Sequence, residues 1–141
     1  VRASFLPGPN TTVAERIEEL KLHEIALSDG AVLETGCVYI VPLLESLALP
    51  DTIAASANPK SSTGRLDVFT RIITDEGQTF DDIRPGYAGR LYLEVVPLSF
   101  TIRFAWSMWD VACLTYCTLG ISASSVNVSG SRFTTTRCGM L

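Results

Sequence analysis

The stretch Phe80-Asp81-Asp82-Ile83-Arg84-Pro85-Gly86-Tyr87-Ala88-Gly89-Arg90-Leu91-Tyr92-Leu93-Glu94-Val95-Val96 decides how this 141-residue chain is read. Arg84-Pro85-Gly86 is a turn signal, and the residues after it alternate with period two. Leu91, Leu93 and Val95 fall on one face of a strand, while Arg90, Tyr92, Glu94 and Val96 fall on the other. Glu94 is then a carboxylate flanked by Leu93 and Val95 well inside a strand, a setting in which burial fits a carboxylate for general-base work. The competing reading is an exposed strand glutamate paired with a neighbouring cation.

Outward from this strand the same pattern repeats. Short apolar or alternating runs occur at Ile25–Leu27, Val38–Val41, Leu47–Leu49, Ile53–Ala57, Leu66–Ile73 and Leu98–Ile102. Turn signals part them, among them Ser28-Asp29-Gly30, Leu49-Pro50-Asp51, Asn58-Pro59 and Asp75-Glu76-Gly77. Only Thr12–Leu22 has helical spacing, with Thr12 as N-cap, Glu15 closing a capping box, and Val13, Ile17 and Leu20 on one face. One N-terminal helix followed by many short strands predicts an all-β barrel, sandwich or jelly roll.

Length leaves room for one domain, and a 47% hydrophobic, 18% charged composition can build a core. Lys plus Arg 11 against Asp plus Glu 15 gives a net charge of -4. That balance argues against a nucleic-acid coat or a polybasic membrane anchor, although a few local cations suffice for a single nucleotide. His23 is the one histidine, which excludes a His-rich metal site. Of four cysteines, Cys113-x-x-x-Cys117 lacks a second Cys/His pair at ligand spacing, so Cys37, Cys113, Cys117 and Cys138 read as buried or incidental thiols. Val1-Arg2 leads into a Pro/Gly stretch rather than an apolar leader, and the run Phe104–Leu119 is interrupted by Asp110. A soluble, cytoplasmic chain is expected; the missing initiator Met suggests a piece of a longer protein.

Asn58-Pro59-Lys60-Ser61-Ser62-Thr63-Gly64-Arg65-Leu66 gathers two cations, three hydroxyls and a glycine between two strands. Lys60 offers a point charge, Arg65 a planar fork, and Ser61, Ser62 and backbone N–H groups neutral donors, which is the chemistry of phosphate binding. The order Gly-Lys-Ser of a Walker loop is absent. A solvated polar loop is the alternative.

Together the two segments, Lys60-Ser61-Ser62-Thr63-Gly64-Arg65-Leu66 and then Ile83-Arg84-Pro85-Gly86-Tyr87-Ala88-Gly89 leading to Leu93-Glu94, resemble the paired motifs of the dCTP deaminase family in the dUTPase-like superfamily. His23-Glu24-Ile25-Ala26-Leu27, the Tyr39 strand and Leu44-Glu45-Ser46-Leu47-Ala48-Leu49-Pro50 agree with it. Asn58 through Arg71 is similar to the longer, alphaproteobacterial-type members. The resemblance covers residues 1 to 103.

It implies a β-clip, or distorted jelly roll, assembled as a homotrimer with sites at subunit boundaries. It also implies hydrolytic deamination of dCTP to dUTP and ammonia, feeding dTTP precursor synthesis. No catalytic zinc is implied, and Mg2+ would be carried by the triphosphate. By position, Glu94 falls on the catalytic general base. Ser61 and Arg65 fall on residues that orient the water and stabilise the site, and Lys60 and Ser62 on triphosphate contacts. Thr63 and Gly64 lie in the same loop, and Tyr92 and Leu93 fall where strand backbone reads the base. Arg84 stands where most members carry an Asp facing the deoxyribose, a place Asp81 or Asp82 could fill. One alternative is a dUTP pyrophosphatase of the same superfamily, against which Arg84 argues; the other is a non-catalytic nucleotide-binding fragment.

The sequence changes character near Phe104. Residues 104–141 carry three charged residues, Asp110, Arg132 and Arg137, yet hold both Trp and both Met. No strand alternation is evident there, so a poorly packed tail is expected, with an unpaired edge near Leu98–Ile102 and weak dCTP binding by the chain alone. Met108-Trp109-Asp110 must be encoded ATG-TGG-GAY; reading from each third base permits Val-Gly-Arg-Arg-Leu, close to a turn of the family. The tail is therefore expected to be a frameshifted reading of a deaminase gene.

Overall fold

The computed structural model describes residues 1, 3–26, 30–58, 64–99, 102–104 and 119–122. The Pro85-Gly86 turn feeds a ten-residue strand, Ala88–Pro97, which becomes β6 in the order α1 (Val13–Leu20), β1 (Ala31–Leu33), β2 (Tyr39–Ala48), β3 (Ala54–Ala57), β4 (Val68–Ile73), β5 (Asp82–Ile83), β6, β7 (Ile102–Phe104) and β8 (Leu119–Ser122). The expected all-β class with one N-terminal helix is what the chain adopts.

Strand β6 is the middle of an antiparallel sheet ordered β2-β6-β4. Its alternation is realised, with Leu91, Leu93 and Val95 buried in the core. Across that core, Ala55, Ala57, Ile83 and Tyr87 supply apolar surface from β3, β5 and the turn before β6. The second sheet runs β5-β3-β8, and β1 pairs with β7 in a third, two-stranded ladder.

The helix starts as its sequence dictates. Thr12 caps the Glu15 N–H while the Glu15 carboxylate accepts from the Thr12 N–H at 2.7 Å. It ends two residues earlier than expected because Lys21 turns extended, its own N–H still closing on the Ile17 carbonyl. Asp75 accepts from the Val13 N–H at 2.8 Å, the Gly8 N–H donates to the Gly77 carbonyl at 3.1 Å, and the Glu76 N–H donates to the Thr11 carbonyl at 3.0 Å. The N-terminal segment is thereby strapped to the turn after β4.

Several strands differ from expectation. The runs at Val38–Val41 and Leu47–Leu49 merge into β2, because the register shift between Pro42 and Ser46 bends the strand instead of ending it. Ile25 and Ala26 are not in a strand, and Leu27 lies outside the described residues. β1 and β5, of three and two residues, are too short to show a period in sequence. Of the edge expected near Leu98–Ile102, Leu98 and Ser99 are in no strand and residues 100 and 101 lie outside the described residues, whereas Ile102, Arg103 and Phe104 pair with Leu33, Val32 and Ala31. The segment after Phe104, expected to carry no strand, contributes β8, whose residues Leu119 to Ser122 pair with Ala57 to Ala54. A ladder needs only backbone donors and acceptors, and four residues are too short for alternation to stand out. Among the described residues no helix is long and apolar enough to cross a membrane.

Left-handed backbone recurs in several turns, and two of them show what a side chain there would meet. Gly86 sits at φ 71° and Gly36 at φ 75°, but a Cβ at Gly86 would collide with the Asp51 carboxylate, whereas one at Gly36 would meet open space. Gly36→Ala should therefore cost about 1 kcal/mol from backbone strain alone. Gly86→Ala should cost a similar amount in urea unfolding, because the Asp51 carboxylate in its way is the free end of an exposed side chain and can swing aside. A midpoint for Gly86→Ala well below that of Gly36→Ala would contradict an Asp51 side chain free to yield.

Candidate active site

Glu94 lies near the middle of β6, opposite Ile40 of β2 and Arg71 of β4. Its side chain points away from the Leu91, Leu93 and Val95 face, and yet it is 0% exposed. Burying an ionised carboxylate is costly unless it is paired and hydrogen-bonded. Both conditions are met. The Arg71 Nε–H donates to Oε1 at 2.7 Å, and the Ser4 hydroxyl donates to Oε2 at 2.6 Å. The triangle closes where Arg71 Nη2 donates to Ser4 Oγ at 2.6 Å.

The arginine is itself held. Its guanidinium carbon lies 3.6 Å from the centroid of Phe80 and 5.0 Å from that of Phe69, so aromatic faces take up the charge that carboxylate and hydroxyl leave unsatisfied. Ser4 arrives on the N-terminal strap that Gly8, Thr11 and Val13 fasten to the β4–β5 turn. Long-range topology, not local sequence, therefore brings the three groups together.

A second carboxyl stands nearby. Asp81, at φ 64°, accepts from the Ile72 N–H at 2.7 Å. Its own N–H donates to the Ile72 carbonyl at 3.0 Å, and its carbonyl accepts from Ala57 at 2.7 Å. Burial pushes its carboxyl above the usual range; the Ile72 N–H and Arg71 pull it down, and Asp82 and Glu94 push it up. Beyond it, a cavity of about 330 Å³ is lined by Ala54, Thr74, Gln78, Thr79, Asp82 and Arg84 among others. Arg84 reaches Glu76 at 2.8 Å on the rim, both side chains being substantially exposed.

The family model of the 2'-deoxycytidine 5'-triphosphate deaminase (DCD) N-terminal domain matches residues 1–108. The chain belongs to the dCTP deaminase family. The crystal structure of 2'-deoxycytidine 5'-triphosphate deaminase from Agrobacterium tumefaciens is similar to it at 64% identity with a TM-score of 0.70, over 74% of this chain and 31% of that one. A dCTP deaminase of Aeromonas salmonicida is 32% identical over 91 residues, 63% of this chain and 44% of the relative. A dUMP-forming dCTP deaminase of Rhodococcus opacus is 31% identical over 119 residues, 84% of this chain and 59% of the relative. The chain thus spans only part of the length of the relatives it matches. The fold is the dUTPase-like one of the dCTP deaminases.

Within this family frame the expected site residues fall into three groups. Lys60, Ser61, Ser62 and Thr63 lie outside the described residues; Gly64 and Arg65, which follow them, are exposed. Glu94 is buried and paired with a cation, combining the two readings of its sequence. Tyr92 is half-buried and Leu93 buried, and β6 has neighbours on both sides there, so these residues face Pro42 and Val41 on one flank and Ile73 and Ile72 on the other. Pro42 has no N–H to give, and the β2 ladder loosens beside it. Arg84 is on the cavity rim, bound to Glu76. Of the two aspartates weighed for the deoxyribose, Asp82 lines that cavity, whereas Asp81 is committed to Ile72. Sequence reading missed Arg71 and Ser4. The signal for Arg71 was its place as the one cation in the Val68–Ile73 run; Ser4 left none. Among the described residues no group of three or more His, Cys, Asp or Glu could hold a metal ion.

The raised Asp81 carboxyl has a thermodynamic consequence. A carboxyl that binds its proton more tightly in the folded chain contributes stability that is fully present below the ordinary aspartate range and lost as pH rises through the folded value. Asp81→Asn removes that dependence. Thermal melts should show wild type gaining on Asp81→Asn as pH falls from 7 towards 4, and a constant difference across that range would contradict the shift.

Proposed function

We propose that the chain carries the glutamate-centred half of a hydrolytic dCTP deaminase site, with Glu94 as general base. The observation that carries this reading is a fully buried carboxylate in the middle of β6, in a chain whose family is that of the dCTP deaminases. Glu94 would take a proton from water as the oxygen attacks C4 of cytosine. Glu94 relays that proton to the ring nitrogen N3 as C4 becomes tetrahedral; the proton of the new C4 hydroxyl then passes to the amino group, which leaves as ammonia, so that a C4 carbonyl and an N3–H remain. Ser61 and Arg65 would orient the water, and Lys60 and Ser62, with Thr63 and Gly64, would hold a triphosphate that brings its own Mg2+. Tyr92 and Leu93 would meet the base, with Arg84 towards the sugar. In this reading the water is activated by the carboxylate without zinc, the product dUTP enters dTTP precursor synthesis, and the working assembly is a homotrimer in the cytoplasm.

Several relatives are named dUMP-forming, so the fate of the triphosphate needs its own measurement. Arg84, tied to Glu76, is not a base for water attack on phosphorus, which favours dUTP as product. An assay that follows ammonia and pyrophosphate separately, at enzyme excess over dCTP, should give ammonia alone; pyrophosphate released in step would reassign the product to dUMP. In a version carrying the whole length of the family, Glu94→Gln should abolish ammonia release while dCTP binding stays within about tenfold, because the amide keeps the shape and cannot accept the proton. Undiminished turnover in that variant would remove Glu94 from the chemistry. Light scattering after size exclusion should give a mass of three chains; a monomer that still turns over would refute the shared-site assembly.

A further inference from the structure

We propose that Arg71 is the positioning residue of this site: it anchors Oε1 of Glu94 and so leaves Oε2 as the working oxygen. The inference deepens the assignment of Glu94 as general base and rests on it. The two carboxylate oxygens are not equivalent. Oε1 is taken by the Arg71 Nε–H, a charge-assisted bond from a planar group that cannot lose its proton. Among the described residues Oε2 is taken only by the Ser4 hydroxyl, a neutral donor on a short side chain. A water molecule could replace that hydroxyl with no change in the charge around the carboxylate, whereas among the described residues no other cation is paired with Glu94.

The geometry of Arg71 is built rather than incidental. The guanidinium carbon is 3.6 Å from the Phe80 centroid, which fixes the plane of the fork, and Nη2 reaches Ser4. Arg71 and Glu94 are direct cross-strand partners on β4 and β6, so the backbone ladder holds their separation. The side chain of Arg71 is 24% exposed and that of Glu94 is 0% exposed, so the arginine reaches the surface while the carboxylate does not. Asp81, close enough to feel both charges, accepts from the Ile72 N–H and does not compete for Nε. A merely structural ion pair would contribute to folding alone; a positioning residue also sets how the carboxylate meets the attacking water.

The test compares wild type, Arg71→Lys, Arg71→Met, Phe80→Leu and Glu94→Gln in the full chain, following ammonia release from Mg-dCTP with enzyme in excess. Arg71→Met should lower the rate at saturation about 100-fold with half-saturation within about threefold, the penalty of a displaced base. Arg71→Lys, keeping the charge without the fork, should recover to within about tenfold of wild type, and Phe80→Leu should lose about three- to tenfold. A parallel readout needs no turnover. The Arg71 Nε–H resonance should exchange with water about 100-fold more slowly than that of the exposed Arg90, and about tenfold faster in Glu94→Gln than in wild type. Rates within twofold of wild type in both Arg71 variants, with Glu94→Gln dead, would overturn the role of Arg71 and leave Glu94 standing. Full turnover by Glu94→Gln would instead overturn the base assignment on which it rests. If the wild-type chain releases no ammonia, the exchange measurement decides: an unprotected Nε–H, or one indifferent to Glu94→Gln, overturns the anchor. Should Arg71→Met not fold, Arg71→Lys and Phe80→Leu carry the comparison.

Discussion

A carboxylate with no solvent exposure in the middle of the central strand is the constraint on which the arrangement turns. Alternation along β6 sends Leu91, Leu93 and Val95 into the core and leaves Glu94 on the opposite face. That face would ordinarily meet water. Here it is covered, so the charge must be met by protein groups, and a cross-strand arginine and a serine from the far end of the chain meet it. Once β6 is flanked by β2 and β4, the partner opposite Glu94 on β4 is fixed as Arg71 by register alone.

The cover over Glu94 is maintained by contacts distant from it. Asp75 receives the first N–H of α1, and Gly8 and Thr11 bond to Gly77 and Glu76, so the turn after β4 serves as the anchor for the whole N-terminal segment. The same turn supplies an N–H to the Tyr87 hydroxyl at 3.4 Å, and that hydroxyl donates in turn to the Arg90 carbonyl. Burial pushes the Tyr87 phenol up to about 12, so it stays protonated and keeps donating at any ordinary pH. One turn thus ties together the strap over the carboxylate and the start of the strand that carries it.

The site is asymmetric in charge and in access. Beside Glu94 lies a guanidinium packed on Phe80; the Arg84–Glu76 pair stands separately on the rim of an open cavity. Family membership gives these features a chemical setting, and the length of the relatives gives them a boundary: this chain spans 31% of the Agrobacterium enzyme whose structure it matches.

Much of this was legible in the sequence by itself. The capping box at Thr12 and Glu15, the all-β class, the two faces of β6 and the candidacy of Glu94 follow from spacings of two, three and four residues, which local geometry converts directly into structure. The paired motifs identified the family. Tertiary structure alone decided the rest, because it depends on contacts whose sequence separation carries no periodic signal. Ser4 and Glu94 are 90 residues apart, and Arg71 and Glu94 23 apart. β1, β5 and β8 are too short to announce themselves and exist because a partner's backbone groups need pairing. Sequence could name the carboxylate; only the fold could say which cation holds it, and by which oxygen.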